Sequence, residues 1–171
     1  MKNYSSKKLV ISSMLAALIC VSTMVIKIPS PLNGYINLGD CFVLLAGWIL
    51  PTTYGFLAAG VGSAMADIFS GYAAYAPVTF LIKGVMAVAA HHGFGFISKS
   101  ASSKTARAVS GAVAEIIMVT GYLFYESILY GFVPSLANVP ANCVQGLAGL
   151  LLSIILIRTV EGKFDNFDLF S

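Results

Sequence analysis

Six apolar stretches separated by short breaks account for most of the chain, at roughly 8–26, 40–50, 53–69, 77–97, 105–130 and 135–160. A bilayer core of about 30 Å takes about 20 apolar residues per helix. A chain of 171 residues therefore has room for about six spans with short loops, and none for a soluble domain of ordinary size. Only 10% of the residues are charged, against about a quarter in soluble domains, and the mean hydropathy is +0.87. An ordinary soluble enzyme is excluded. The expected fold is an all-α integral membrane protein: six transmembrane helices forming a single domain over residues 1–171.

The breaks carry turn chemistry. Pro29, Pro31 and Gly34 make residues 27–39 a loop, and Pro51 with Thr52 and Thr53 makes a tight return after a short second helix. Residues 70–76 form another loop, with Pro77 well placed to open the fourth helix. Residues 98–104, rich in Ser and Lys, form the clearest hydrophilic break, and residues 131–134 separate the fifth and sixth helices. No internal repeat is evident.

Basic residues set the orientation, because cytoplasmic segments collect Lys and Arg. With the N-terminus inside, Lys2, Lys7, Lys8, Lys99, Lys104, Arg107, Arg158 and Lys163 are cytoplasmic, eight of the ten. Lys27 lies in an outer loop, and Lys83 falls inside the fourth span. Both termini are then cytoplasmic, and Glu161, Asp165 and Asp168 form a solvated tail. The first segment imitates a signal peptide, with Ala17-Leu18-Ile19-Cys20 resembling a lipoprotein cleavage site. Ile19 is too large for the residue before the cut, so the segment is read as the first span. A net charge of +3, scattered along the chain, leaves no nucleic-acid footprint. Cys20, Cys41 and Cys143 are far apart in apolar runs and read as small core residues, with no disulfide or metal role.

Charged side chains at membrane depth are expensive and normally face the bundle interior. Lys83 lies six residues below the outer start of its helix, about 9 Å deep. Asp40 and Asp67 sit at outer helix ends, Glu126 near the outer end of the fifth helix and Glu115 near its middle. Glu115, Tyr122 and Glu126 form a stripe with Met118 between them. Asn138, Asn142 and Gln145, spaced i, i+4, i+7, share a face of the sixth helix. This polar set points to a cavity that opens outward, while the inner helix ends carry nothing comparable. A pore or stand-alone carrier would line both halves, so the asymmetry favours a binding protein. Neutral amides suit the hydrogen-bonding edge of a small ring. Two readings stay open for Lys83: a ligand contact, or a structural pair with Asp67 or Glu115. In the outer loops, Asn33, Tyr35, Asn37, Tyr72 and Tyr75 fit either an interfacial belt or a lid that stacks on a planar ligand.

Small residues four apart on the first helix, Ser12, Ala16 and Cys20 beside Ser13 and Ala17, permit close helix packing, within the bundle or against a partner subunit. The third helix has a similar run in Gly55, Ala59, Gly62, Ser63 and Ala66. His91 and His92 point about 100° apart and cannot clamp one ion; they read as interfacial. The phosphate loop, the Gly-x-Ser-x-Gly elbow and the His-Glu-x-x-His helix are all absent from the sequence, so the chain is not expected to hydrolyse ATP itself or to need a cofactor.

Several motifs, in order, resemble a known family: Gly34-Tyr35-Ile36-Asn37-Leu38-Gly39-Asp40; Ala66-Asp67 with Gly71-Tyr72 and Tyr75-Ala76-Pro77; Thr79-Phe80-Leu81-Ile82-Lys83-Gly84; Glu115 with Gly121-Tyr122; Glu126 with Tyr130-Gly131; and Pro140-Ala141-Asn142 with Gln145-Gly146. Over residues 8–157 the chain resembles the substrate-binding S components of energy-coupling factor (ECF) transporters. It is most similar to the riboflavin-type branch, which also takes in proteins assigned to vitamin B6 and hydroxymethylpyrimidine. The resemblance implies a six-helix bundle in the bacterial plasma membrane that captures a water-soluble vitamin from outside. It also implies a transmembrane T component, docked through Ser12, Ser13, Ala16 and Ala17, two ABC ATPases as separate chains, and release by toppling of the loaded subunit. The serines depart from the family's usual alanines at that docking face.

The candidate substrate-binding residues are Asn33, Tyr35, Asn37, Asp40, Asp67, Tyr75, Lys83, Glu115, Tyr122, Glu126, Asn142 and Gln145. Pyridoxine, pyridoxamine or hydroxymethylpyrimidine is the first expectation for the ligand and riboflavin the second. A membrane enzyme using Glu115, Glu126 or the His pair, and a purely structural assembly subunit, are the competing classes.

Overall fold

The computed structural model describes residues 2–30 and 35–164, with side chains over 6–30 and 35–159. Helix α1 (Lys2–Val25) leads into a minimal hairpin in which β1 (Ile28–Pro29) pairs antiparallel with β2 (Tyr35–Ile36). Then follow α2 (Gly39–Ile49), α3 (Thr52–Phe69), α4 (Ala76–Ile97), α5 (Ser103–Tyr130), the one-turn α6 (Phe132–Ser135), a 3-10 turn (Leu136–Asn138) and α7 (Val139–Phe164).

The six expected helices are present, and their ends follow local chemistry. Ser102 starts α5 earlier than the apolar pattern suggests, because its Oγ accepts the Thr105 backbone N–H at 3.2 Å. The last apolar segment does not run straight from 135. Gly131 bends the chain with φ +87°, α6 and the 3-10 turn follow, and the long helix starts only at Val139, with Pro140 in its first turn.

Among the described residues, four helical segments are long and apolar enough to cross a bilayer: Ser6–Val25, Ala76–Ile97, Ser103–Tyr130 and Phe132–Thr159, the last made up of α6, the 3-10 turn and most of α7. The eleven-residue α2 is only about 17 Å long, roughly half the hydrocarbon thickness. Apart from Phe42 and Ile49 it is buried, packed against α1, α3, α4 and α7. It is thus the axle of the bundle rather than a lipid-facing span. Val43 and Leu44 on α2 meet Ile19, Met86, Met118 and Ile157 in the core. On α7 the stripe Val144, Leu147, Leu151 and Ile155 is exposed, as a lipid-facing side requires.

The small residues of α1 divide between two faces. Ser12 is buried, its hydroxyl donating to the Tyr54 carbonyl at 3.2 Å. Ala16 meets α3 so closely that a Cβ at Gly62 would sit 2.5 Å from the Ala16 carbonyl oxygen. Ser13 and Ala17 are exposed. Toward the other end of the bundle, His91 faces the Gly47 carbonyl at 3.1 Å and His92 the Thr52 hydroxyl at 3.3 Å, so both hold helices together.

Candidate functional site

The hairpin, the 70–75 loop and the 131–138 turn gather at one end of the bundle, around a cavity of about 40 Å³. Its lining is polar and aromatic: Ser30, Tyr35 and Asn37 from the first loop; Asp67, Tyr72, Tyr75 and Thr79 from the α3–α4 junction; Tyr122 and Glu126 from α5; and Asn142 and Gln145 from α7. The Tyr35 hydroxyl donates to Asp67 Oδ1 at 2.7 Å, and the Tyr35 and Tyr72 rings lie 4.8 Å apart. Burial, then the adjacent Asp67 carboxylate, push the Tyr35 hydroxyl above its ordinary pKa. At the rim, Lys27 donates to Ser70 Oγ at 2.7 Å, tying the two loops together. Deeper, the Tyr122 hydroxyl donates to Thr79 Oγ1 at 3.1 Å, and Asn138 Nδ2 donates to Glu126 Oε1 at 2.8 Å.

The floor is a buried relay. Lys83 forms an ion pair with Asp40 Oδ1, and Gln145 Nε2 donates to Asp40 Oδ2 at 2.6 Å. Gln145 Oε1 in turn accepts the Asn37 backbone N–H at 2.9 Å and its Nδ2 at 3.2 Å. Asn37 Oδ1 accepts the Gly39 N–H at 2.9 Å at the start of α2. Glycine on α7 makes this approach possible: a Cβ at Gly149 would lie 2.8 Å from the Asp40 Cβ.

Of the twelve expected residues, Tyr35, Asn37, Asp67, Tyr75, Tyr122, Glu126, Asn142 and Gln145 line the cavity. Asn33 lies outside the described residues. Asp40 and Lys83 belong to the floor relay without lining the cavity, and the partner of Lys83 is Asp40, not Asp67 or Glu115 as the sequence suggested. The buried course of α2 brings Asp40 under α4, which linear depth alone does not reveal. Glu115 is away from this cavity, pressed against Gly146 and Gly149 beside an apolar groove between α5 and α7. Asn138 does not share a helical face with Asn142 and Gln145, because the 3-10 turn breaks the helix and turns it onto Glu126. Ser30, Tyr72 and Thr79 line the cavity but were not among the candidate binding residues. Thr79 stands one turn before Lys83 on the same face of α4, a spacing that could have found it; Ser30 carries no such signal.

A helical membrane bundle with one polar, aromatic cavity near its end is the architecture of a membrane-embedded binding subunit. The structure superposes on one described as "Structure and mechanism of the S component of a bacterial ECF transporter", with a TM-score of 0.76 and 23% identity over 94% of this chain and 99% of that one. It also resembles the S component for biotin from an ECF-type ABC transporter, with a TM-score of 0.59 and 14% identity over 92% and 94% of the two chains. The sequence model of the family described as "ECF-type riboflavin transporter, S component" matches residues 3–161, and the chain belongs to that family. An uncharacterized protein in the gap 3′ region of Pyrococcus woesei is 33% identical over 135 residues, covering 78% of this chain and 88% of that protein. The chain is therefore a multi-pass plasma-membrane protein and the substrate-binding subunit of a transporter, not an enzyme.

Proposed function

We propose that this S component captures a single-ring, water-soluble vitamin or precursor from the outer face of the membrane and delivers it inward by toppling on a T component driven by two ABC ATPases. One observation carries the reading: the polar cavity lies at one end of the bundle, whereas Lys99, Lys104 and Arg107 lie at or beside the turn that ends α4. Under the rule that basic residues stay inside, the cavity end faces outward and both termini are cytoplasmic. The six principal helices then make six passes, with α2 crossing as a short, protein-enclosed element.

Pyridoxine, pyridoxamine or hydroxymethylpyrimidine is the preferred ligand. Asn37, Asn142 and the tyrosines of the lining supply the hydrogen bonds and flat faces that a single polar ring would use. Riboflavin is the second reading, favoured by the description of the matching family. The proposed binding set is the eight cavity residues that the sequence anticipated, with Asp40 and Lys83 positioning Gln145 from below. On α1, Ser13 and Ala17 are the proposed contacts with the T component.

The test is direct. The protein is purified in mild detergent, denatured, and its extract analysed by mass spectrometry for co-purifying small molecules. The emptied protein is then titrated with the four compounds by calorimetry. Binding of one of the three single-ring compounds at one-to-one stoichiometry without nucleotide is the expected result, and binding of riboflavin alone replaces it with the second reading. Absence of binding to all four overturns the proposal.

A further inference from the structure

One ammonium group serves the buried carboxylates beneath and beside the cavity. Lys83 pairs with Asp40, stands 5.6 Å from the centre of the Tyr122 ring, and extends its charge to Asp67 and Glu115 as well. Asp67 has the Tyr35 and Thr79 hydroxyls beside it, and Asp40 has the Gln145 amide. Glu115 has no such neighbour. It is 7% exposed, near the middle of α5, and both of its oxygens are buried without a hydrogen-bond partner among the described residues. An ionised carboxylate in that setting is costly, because it has neither a donor nor a cation of its own.

The glycines of α7 bring Glu115 against the floor relay. A Cβ at Gly149 would lie 2.8 Å from the Asp40 Cβ and 3.3 Å from Glu115 Oε1, so the two acids flank one point on α7. A Cβ at Gly146 would lie 3.0 Å from Glu115 Oε2. The titratable groups around Glu115 are Asp40 and the Cys41 thiol on α2, Lys83 on α4 and, over Lys83, Tyr122 on α5. Over residues 143–150, α7 brings no charge, only the glycines and the exposed Cys143 along the α5–α7 groove. A metal ion such as Ca²⁺ or Mg²⁺ would need several oxygen ligands, and no three His, Cys, Asp or Glu side chains converge among the described residues. A proton needs one oxygen.

We propose that Glu115 is a proton-binding site at mid-depth in the bundle, whose proton removes a second claimant on Lys83, keeps the ammonium on Asp40 and so holds the Gln145–Asn37 wall of the cavity. Loss of the proton sets two carboxylates in competition for one cation, and the relay to the cavity loosens. The site does not depend on which vitamin the cavity takes, so its failure and that of the capture reading are separate results. The native chain keeps a proton that a solvated Glu side chain gives up near neutral pH. Stability therefore falls as pH rises, and levels off once Glu115 ionises.

The experiment uses the purified full chain in detergent, from about pH 6 to about pH 10. In infrared difference spectra of wild type against E115Q, a carboxylic-acid carbonyl band is expected near neutral pH, replaced by carboxylate bands at the alkaline end. The melting temperature of the wild type is expected to fall by a few degrees per pH unit up to that change, and E115Q to lack this fall. A carboxylate signal throughout, or the same pH dependence of melting in both proteins, overturns the proposal. Where E115Q fails to fold, dicyclohexylcarbodiimide decides on the wild type alone. This apolar reagent couples to carboxyl groups that hold a proton, and the α5–α7 groove of about 330 Å³, which Glu115 lines, gives it a route. An adduct mapped to Glu115 at neutral pH, with a yield that falls at least about tenfold at the alkaline end, supports the site. No adduct at Glu115, or a yield that does not change with pH, overturns it.

Discussion

Gln145 accepts the backbone N–H of Asn37 at 2.9 Å, joining α7 to the first loop across 108 residues of sequence. The same side chain donates to Asp40, so its amide has a fixed orientation, with oxygen toward the loop and nitrogen toward α2. The shape of the cavity wall therefore depends on a charge pair that lies outside the lining itself.

Gln145→Ala is expected to lower both stability and affinity. It strips partners from a buried N–H and a buried carboxylate oxygen, at about 1–3 kcal/mol for each group. Asn142→Ala, at a half-buried cavity position, is expected to weaken ligand binding about tenfold and leave the melting temperature unchanged. Thermal melts alongside titrations separate the two, and identical behaviour of both variants would contradict the relay.

Lys83→Ala leaves Asp40 charged and fully buried, which is expected to cost about 3–5 kcal/mol. The double variant Lys83→Met with Asp40→Asn removes both charges and keeps an acceptor for Gln145. It should regain most of that loss in a detergent melting series. A double variant no more stable than Lys83→Ala alone would show that the pair is not the source of the effect.

On α1, the two faces give opposite expectations. Ser13→Leu with Ala17→Leu alters exposed positions, so ligand affinity should persist while co-purification with the T component and ATPases is lost. Ala16→Leu adds bulk to the seam where α1 and α3 meet at Gly62, and should lower the melting temperature of the isolated subunit. Retained co-purification in the first variant would remove this face from the docking proposal.

Orientation is testable with single cysteines in a chain whose Cys20, Cys41 and Cys143 are replaced by alanine. Ala73→Cys, exposed in the loop before α4, should react with a membrane-impermeant maleimide on intact cells. Ser100→Cys, exposed in the turn after α4, should react only after permeabilisation. The reverse pattern would invert the topology.

Helix positions and most of the cavity lining were legible in the sequence, because apolar runs and their Pro and Gly breaks report local structure directly. Asp67, Tyr122 and Gln145 could be singled out because polar groups at membrane depth have few places to go, and Tyr35 because an aromatic-bearing loop stands over them. Pairing was not legible. The choice of Asp40 over Asp67 or Glu115 for Lys83 depends on how far α2 is drawn into the bundle, a tertiary outcome. Likewise, nothing local to Asn138 distinguishes a helical face from a 3-10 turn whose side chain is claimed by Glu126.

The short, enclosed α2 also bears on how the protein is made. Eleven residues that include an acid at their start are a poor signal for the insertion machinery, so α2 and α3, joined at Pro51, would have to enter the membrane together as a hairpin. Asp40 leaves the ribosome 43 residues ahead of its counter-ion. Until α4 delivers Lys83, that carboxylate belongs at the water boundary, and the pairing of the two marks the moment when the nascent bundle can close around its axle.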